Sequence, residues 1–394
     1  MGVHAGEPAR SVNSAAETVG IVLAGGGARG AYEMGALSVL LDRLDETWFQ
    51  KTVLVGSSVG SINATLVGSK LHLGPKVAAQ EGLQLWRTLD WSGVTARLLS
   101  LRGLAPFARY GAGILHPSVR IDHLLDSLPL ARTLARRLEL TQLAANVAAG
   151  NPRDVAIVST QTEAARSVVF HPGTKNDYDP VRRIRYVHAR LTLKHVLASG
   201  AMPALFPPVW IRGPGDARGW YVDGSVRINT PIKPALELGV DRLIVIGVST
   251  AHPGTTGGTK PDIFDGLGQV AQAALGDPLV QDVATLAKRN TNGSGRTIPY
   301  ILIAPPTAET IGAIARQVYR RHYASLAKLA TSPGLLGRLL QTAKSSGTGE
   351  LFSYLFFAPE FFDALIAAGR DDAHAWLGVR HDFGDDEWQK GPLN

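Results

Sequence analysis

The 394-residue sequence contains no cysteine. This absence excludes disulfides, thiolate metal sites and a cysteine nucleophile, and it leaves the redox compartment undetermined. No run of residues is long and apolar enough to predict a transmembrane helix. Residues 1–17 lack an apolar core, so we expect no secretory signal peptide. Together these absences favour a protein that is cytoplasmic or peripheral at a membrane.

Two kinds of binding site also lack a signal in the sequence. We find no basic stripe interleaved with aromatic residues, so we expect no nucleic-acid partner. There is no H-E-x-x-H motif and no carboxylate cluster, and we therefore expect neither a metal nor another cofactor. The chain is nonetheless basic, with a formal net charge of +7. Such a charge fits either a solvated basic surface or peripheral contact with an anionic membrane.

The residues that are present predict a globular α/β fold. Apolar residues make up 45% of the chain and charged residues 19%. Short apolar runs alternate with segments of helical spacing, which predicts a mainly parallel sheet covered on both faces. The runs predicted as strands are VGIVLAG (19–25), TVLVG (52–56), DVAIVST (154–160), RSVVF (166–170), PPVWIR (207–212), GWYVD (219–223), RLIVIGVS (242–249) and IPYILIAP (298–305).

The chain divides into a lead-in, a core and a C-terminal part. Residues 1–17 are expected to be disordered, and residues 18–250 form the core, with a helical insertion at about 75–150. Residues 251–394 contribute one further strand and helices that pack on the core. The aromatic run FSYLFFAPEFF (352–362) either packs these helices onto the sheet or inserts at a lipid interface, and packing is favoured.

A glycine-rich loop follows the first predicted strand. Residues 25–30 read GGGARG, which matches the G-x-G-x-x-G pattern of dinucleotide phosphate loops and precedes a helix. A dinucleotide site also needs an acidic residue at the end of the second strand, and here that strand ends in VLVGSS. A P-loop is excluded because no Gly-Lys-Ser/Thr follows. The loop can present several backbone N–H groups to a phosphate or to an acyl oxyanion.

The second predicted strand leads into Gly56-Ser57-Ser58-Val59-Gly60. This G-x-S-x-G motif between a strand and a helix is typical of a nucleophile elbow, in which Gly56 and Gly60 make room for a sharp turn. The turn would hold the Ser58 hydroxyl at a helix N-terminus, where the helix dipole favours negative charge. The alternative is an ordinary glycine-serine turn.

A serine nucleophile needs a base, and Asp223 is the candidate. It ends a predicted strand and is followed by Gly224, so it could contact Ser58 directly if the turn fixes its carboxylate and burial raises its basicity. A turn-capping aspartate is the plainer interpretation. A triad would instead require one of the downstream histidines, which are His252, His322, His374 and His381. His188 and His195 are expected to be structural.

These motifs together resemble the patatin-like phospholipases. That family carries a G-G-G-x-[KR]-G loop, a G-x-S-x-G elbow and a D-G-[GA] motif, and here they correspond to GGGARG (25–30), GSSVG (56–60) and DGS (223–225). Ser225 departs from the usual Gly or Ala. The stretch LASGAMPALFPPV (197–209) is also similar to a family segment. The resemblance covers about residues 19–250.

The resemblance implies a three-layer, doubly wound α/β/α fold with a helical C-terminal extension. It also implies hydrolysis of fatty-acyl esters of lipids without calcium, through a Ser58–Asp223 dyad with no catalytic histidine. The oxyanion hole would be formed by backbone amides of the glycine loop, whose residues are Gly25, Gly26, Gly27, Ala28, Arg29 and Gly30. Arg29 either braces this loop or neutralises a phosphate head group, and bracing is favoured.

Two other functions stay open at this point. The first is a non-catalytic lipid- or partner-binding protein on the same fold. The second is a nucleotide-binding α/β enzyme. The sequence makes no prediction of the oligomeric state.

Overall fold

In the computed structural model, residues 17–43, 50–96, 123–250, 277–292, 296–307, 310–341, 352–378 and 388–391 are described. The strands are β1 (Val19–Leu23), β2 (Thr52–Ser57), β3 (Asp154–Gln161), β4 (Arg166–His171), β5 (Tyr178–Asp179), β6 (Ile184–His188), β7 (Val209–Ile211), β8 (Gly219–Asp223), β9 (Arg242–Ile246) and β10 (Tyr300–Ile303).

The strands form one mixed, mostly parallel sheet in the order β10-β9-β1-β2-β3-β4-β6-β5. Strands β10, β9, β1, β2 and β3 run parallel to one another. Beyond the end of β2, the antiparallel strand β8 pairs with β3, and β7 pairs with β8. Strand β1 therefore lies between β2, which follows it in the chain, and β9, which comes much later.

The helices are α1 (Gly30–Arg43), α2 (Val59–Lys70), α3 (Pro75–Thr88), α4 (Trp91–Val94), α5 (Leu128–Arg137), α6 (Leu140–Ala148), α7 (Leu193–Ser199), α8 (Ile232–Glu237), α9 (Asp277–Thr291), α10 (Thr310–His322), α11 (Ser332–Gln341) and α12 (Pro359–Gly378). Short 3-10 turns at Gly27–Arg29 and Gly224–Val226 precede α1 and follow β8, respectively. Among the described residues, none of these helices combines the length and the apolar character that crossing a bilayer requires.

Two hydrophobic cores lie on opposite faces of the sheet. Side chains of a strand alternate between its faces, so Ile21 of β1 enters one core and Val22 the other. The Ile21 core is covered by α1, α2, α3 and α12, and the Val22 core by α8 and α9. Because β1 is buried on both faces, its continuous apolar run is explained. The predicted three-layer α/β/α fold is confirmed.

All eight predicted strands are present, and two strands were missed. Strand β5 has two residues, and β6 reads IRYVH, where charged side chains interrupt the apolar pattern. The described part of the 75–150 segment forms helices α3 to α6. Residues 1–16, which make up nearly all of the predicted lead-in, and residues 97–122 and 251–276 lie outside the described residues.

The aromatic run at 352–362 is packed inside the protein. Phe352, Phe356, Phe361 and Phe362 are fully buried. The ring of Phe362 meets the ring of Trp86 on α3 edge to face, with the centroids 5.1 Å apart. Helix α12, which begins within this run, packs against α1. The interpretation as packing, rather than as insertion at a lipid interface, is therefore correct.

Candidate active site

The candidate site lies at the carboxyl ends of β1 and β2. From β1 the chain continues to β2 on one side, while β9 occupies the other side. In open α/β sheets, ligands bind outside the carboxyl ends of the strands at such a switch point. The glycine loop follows β1 here, and Ser58 follows β2.

Ser58 lies on a sharp turn between β2 and α2. Its backbone has φ 50° and ψ −123°, a conformation that costs a non-glycine residue about 1–3 kcal/mol. Both flanking glycines are required by close backbone approach. A Cβ on Gly56 would lie 2.3 Å from the Gly60 carbonyl oxygen, and a Cβ on Gly60 would lie 2.3 Å from the Leu23 carbonyl oxygen. The G-x-S-x-G motif thus forms the predicted elbow.

Asp223 reaches Ser58 because β8 takes the place beside β3 where β2 ends. Strand β2 pairs with β3 as far as Val158, and β8 pairs with β3 from Ser159 onward in the opposite direction. The carboxyl ends of β2 and β8 therefore meet. The Ser58 Oγ donates a hydrogen bond to the Asp223 Oδ2 at 2.6 Å, across 165 positions of sequence.

The Asp223 carboxylate is buried and held from both sides. Its exposed fraction is 2%, and its Oδ1 accepts a hydrogen bond from the Ser225 backbone N–H at 2.8 Å. Burial raises the pKa of Asp223 to about 6, although the hydrogen bonds from Ser58 and Ser225 act in the opposite direction. The turn that follows needs a glycine, because a Cβ on Gly224 would lie 2.3 Å from the Val158 carbonyl oxygen.

The glycine loop passes beside this pair. The Gly25 N–H donates to the Asn229 carbonyl oxygen at 3.0 Å, which fixes the start of the loop. A Cβ on Gly25 would lie 3.0 Å from the Ser58 Cβ. Gly27 has φ +57° and packs against the Tyr354 backbone. Among the described residues, the N–H groups of Gly26 and Gly27 meet no acceptor. The loop passes close to Ser58 at Gly25, and no described residue accepts a hydrogen bond from the next two N–H groups of the loop.

The end of the loop joins the two helices of the site. Gly30 is the first residue of α1, and Val59 is the first residue of α2. A Cβ on Gly30 would lie 2.3 Å from the Val59 Cγ2. Ala28, just before it, is fully buried. The two helix starts are therefore held in direct contact, and both direct their N-termini to the site.

Arg29 holds the glycine loop against the rest of the protein. Its Nε donates to the Ser353 Oγ at 2.8 Å, and its Nη1 donates to the Val248 carbonyl oxygen at 3.2 Å. The guanidinium also lies 3.9 Å from the centroid of the Tyr354 ring. Only 2% of Arg29 is exposed. These contacts are those of a brace, the role that was favoured over binding a head group.

Ser199 was given no role from the sequence, although it lies in the LASGAMPALFPPV stretch. The Ser58 backbone N–H donates to the Ser199 Oγ at 2.9 Å, and the Ser199 hydroxyl donates to the Val158 carbonyl oxygen at 2.5 Å. Ser199 is fully buried at the end of α7. It therefore holds the backbone of the strained residue in place. The sequence signal that could have identified Ser199 is its position at the end of α7, directly after the apolar residues Val196, Leu197 and Ala198.

A second unpredicted group supports the starts of α1 and α2. The Asn63 Nδ2 donates to the Glu33 Oε2 at 2.8 Å and to the Gly30 carbonyl oxygen at 3.0 Å. The Trp86 Nε1 donates to the Asn63 Oδ1 at 2.9 Å. Complete burial raises the pKa of Glu33 well above its ordinary value.

No histidine of the described residues contacts Ser58 or Asp223. His195 accepts a hydrogen bond from the Thr192 backbone N–H at 3.0 Å, and burial lowers its pKa to about 4. His188 lies 2.7 Å from the Gly173 carbonyl oxygen through its Nδ1. His322 and His374 are exposed on helices. The remaining downstream histidines, His252 and His381, lie outside the described residues.

The described ranges hold no group of three or more histidine, aspartate and glutamate side chains arranged to bind a metal ion.

Comparisons with known proteins bear on the family. No curated protein matches the sequence. VipD from Legionella pneumophila is similar in structure at 15% identity and a TM-score of 0.33, covering 73% of this chain and 62% of that one. Human GIVD cytosolic phospholipase A2 is similar at 13% identity and a TM-score of 0.34, covering 91% of this chain and 60% of that one.

The present chain thus spans about three fifths of the length of either solved structure. The family model described as Patatin-like phospholipase matches residues 21–236, more than half of the chain and all of the motifs described above. The chain belongs to the patatin-like phospholipase family.

Proposed function

We propose that this protein hydrolyses fatty-acyl esters of lipids, with Ser58 as the nucleophile and Asp223 as the general base. The observation that carries the proposal is the hydrogen bond of 2.6 Å from the Ser58 Oγ to the Asp223 Oδ2. It joins the Ser58 hydroxyl, which a strained turn holds at this sheet edge, to a buried carboxylate. Family membership supports a lipid as the substrate.

The reaction proceeds in two halves. In the first, Asp223 takes the hydroxyl proton as the Ser58 Oγ attacks the ester carbonyl carbon. The tetrahedral intermediate collapses, the alcohol leaves with the proton that Asp223 returns, and an acyl-serine remains. In the second half, Asp223 takes a proton from water, which attacks the acyl-serine. The Ser58 oxygen then leaves with that proton, and the fatty acid is released.

An aspartate can act here without a histidine because burial makes it more basic. A carboxylate at its ordinary pKa of about 3.9 is a weak base at neutral pH. Burial raises the pKa of Asp223 to about 6. The group is still ionised at pH 7, and its basicity is closer to that of the imidazole it replaces.

The glycine loop stabilises the negative charge of the intermediates. The N–H groups of Gly26 and Gly27 are the donors we assign to the oxyanion, because Gly25 already donates to Asn229. One preorganised donor is worth about 2.7–4 kcal/mol to the transition state. The loop also opens α1, whose dipole adds positive potential at this point.

Covalent labelling tests the nucleophile. We expect a serine-reactive fluorophosphonate probe to label the wild-type protein and not Ser58→Ala. Ser69→Ala is the matched control, because Ser69 is a buried serine on the same helix and its hydroxyl bonds only to the Leu66 carbonyl oxygen. Labelling that survives in Ser58→Ala refutes the assignment. Absence of labelling in the wild type favours a binding protein without hydrolytic activity.

Turnover tests the base and the substrate class. Asp223→Asn is expected to lower kcat by about 10²–10⁴, the usual contribution of a general base. His322→Ala and His374→Ala are expected to keep full activity, and loss in either variant would indicate a triad. Acyl esters of graded chain length, assayed beside intact phospholipids, lysophospholipids and neutral glycerides, identify the preferred lipid.

A further inference from the structure

An aromatic and basic surface lies on the β7–β8 hairpin. Trp210 and Trp220 are directly opposite each other in the β7–β8 register, and their ring centroids are 5.2 Å apart. Trp220 is 46% exposed, whereas Trp86, Trp91 and Trp388 are exposed by 3–4%. Among the described residues Trp220 is the most exposed tryptophan, and with Trp210 it forms a pair of indole rings rather than a singly scattered apolar side chain.

Strand alternation separates this surface from the candidate site. Tyr221 and Asp223 point into the protein, while Trp220 points outward. The outer face also carries Arg218, whose guanidinium carbon lies 5.7 Å from the centroid of the Trp210 ring. Arg212, at the far end of β7, is exposed. We name Trp210, Arg212, Arg218 and Trp220 the hairpin surface.

The hairpin surface lies beyond the edge of the sheet at which the candidate site opens. Asp223 is level with Ser159 of β3, and Tyr221 is level with Gln161, so β8 extends past the end of β2. Trp220 is three residues from Asp223, a distance of about 10 Å along a strand. A flat partner that reached the hairpin surface would therefore also face the entrance to the site.

The charge of this region is positive. The acid in the hairpin turn, Asp216, is paired with Arg166 at 2.9 Å and with Arg185 at 3.2 Å. The only other nearby carboxylate on the adjoining turn, Glu163, accepts hydrogen bonds from the Trp220 backbone N–H. Among the described residues, neither Arg212 nor Arg218 forms an ion pair with a carboxylate. Two arginines therefore remain available to an anionic partner.

The hairpin is also well supported. The Thr162 N–H donates to the Trp220 carbonyl oxygen at 3.0 Å, and the Gln161 side chain donates to the Arg218 carbonyl oxygen at 3.0 Å. The surface is thus preformed, and binding would not require it to become ordered.

We propose that the hairpin surface docks the protein on anionic lipid bilayers. Tryptophan side chains favour the headgroup level of a bilayer, and arginines beside them are attracted to anionic head groups. The observations favour this partner because they combine one exposed and one half-buried indole ring with two arginines that form no ion pair among the described residues. The inference rests on the proposed function, because docking would bring the candidate site to its lipid substrate.

Vesicle sedimentation tests the docking surface in the Ser58→Ala background, which prevents hydrolysis during the assay. We expect binding to vesicles of phosphatidylcholine mixed with phosphatidylserine, and weaker binding to phosphatidylcholine alone. Arg212→Gln/Arg218→Gln is expected to weaken binding to the mixed vesicles by about 30-fold, since each arginine contributes roughly fivefold at an anionic surface. Trp220→Ala is expected to weaken binding to both kinds of vesicle.

Arg320→Gln/Arg321→Gln is the matched control. It removes the same charge from exposed positions in the last turn of α10 and is expected to bind as the parent does. Equal weakening in both double variants would overturn the proposal, because net charge alone would then explain binding. Unchanged binding in the hairpin variants, or a change in oligomeric state without a change in vesicle binding, would overturn it as well.

The outcome is separable from that of the proposed function. Hydrolysis of a water-soluble short-chain ester by the wild-type protein requires no bilayer. Vesicle binding through the hairpin without ester hydrolysis would support the docking surface and refute the enzyme. Ester hydrolysis by the wild type, together with vesicle binding that the hairpin substitutions leave unchanged, would support the enzyme and refute the docking surface.

Discussion

Asp223 destabilises the fold whenever its carboxyl group is ionised, and replacing it with asparagine removes that cost. The side chain is 2% exposed, and burial raises its pKa from 3.8 to about 6. A raised pKa in an acid means that the folded state holds the proton more tightly than the unfolded chain does. Below about pH 4 the group is protonated in both states and costs nothing. Between about pH 4 and pH 6 the cost appears, and above that it is complete.

The size of the effect follows from the shift in pKa. A difference of about two pKa units corresponds to about 3 kcal/mol, at 1.36 kcal/mol per unit. Asparagine has no titratable group, so the cost is absent from Asp223→Asn at every pH. The amide also changes the hydrogen bonds with Ser58 and Ser225, but that contribution does not vary with pH. The free energy of unfolding of the variant, relative to wild type, should therefore rise by about 3 kcal/mol from pH 4 to pH 7.

Urea unfolding of both proteins at a series of pH values measures this difference. Other acids whose pKa is raised, such as the buried Glu33 and the half-buried Asp372, contribute equally in both proteins, and the subtraction removes them. In parallel, kcat/KM of the wild type should fall tenfold per pH unit below about pH 6. A stability difference that does not vary between pH 4 and pH 7 would refute the argument, as would an acidic limb near pH 4.

Three further substitutions test the elbow and its supports. Gly60→Ala should destabilise the protein by at least about 1–3 kcal/mol, because the new methyl group would lie 2.3 Å from the Leu23 carbonyl oxygen; Gly378→Ala, at a position with open space, is the control in the same urea assay. Ser199→Ala should cost about 1–3 kcal/mol, because it leaves the buried Ser58 N–H without its acceptor. It should also lower kcat more than it raises KM, and an unchanged kcat would show that the bond does not position Ser58. Arg29→Met should lower kcat at unchanged KM for a short-chain ester, because it removes the hydrogen bond to Ser353; a rise in KM for phospholipids alone would instead indicate head-group binding.

The local geometry of the site could be predicted from the sequence because it depends on residues that are neighbours in the chain. Glycine is needed at positions 27, 56 and 60 because a Cβ there would meet backbone atoms at less than 3 Å, and each position lies within a few residues of a predicted strand end. Strands such as β1 are recognisable because they are apolar throughout. Strand β6 was missed because its buried side chains alternate with Arg185 and His188, which are less buried.

The contact between Asp223 and Ser58 depends on tertiary pairing that sequence spacing does not encode. Asp223 meets Ser58 only because β8 takes the place of β2 beside β3. Nothing in the residues around Asp223 separates a turn-capping aspartate from a base. The resemblance to the patatin-like phospholipases implied the pairing of Ser58 with Asp223. The position of β8 beside β3, beyond the end of β2, explains physically how the two residues meet.

The sequence by itself determined the fold class and the sharp, glycine-flanked turn at Ser58, since these follow from short-range sterics and apolar periodicity. The tertiary structure decided which groups meet. Arg29 contacts Ser353, which is 324 residues away, and the aromatic run at 352–362 is buried against α1 and α3. It also decided the basicity of Asp223, because a pKa depends on burial, and burial is produced by the whole packed chain.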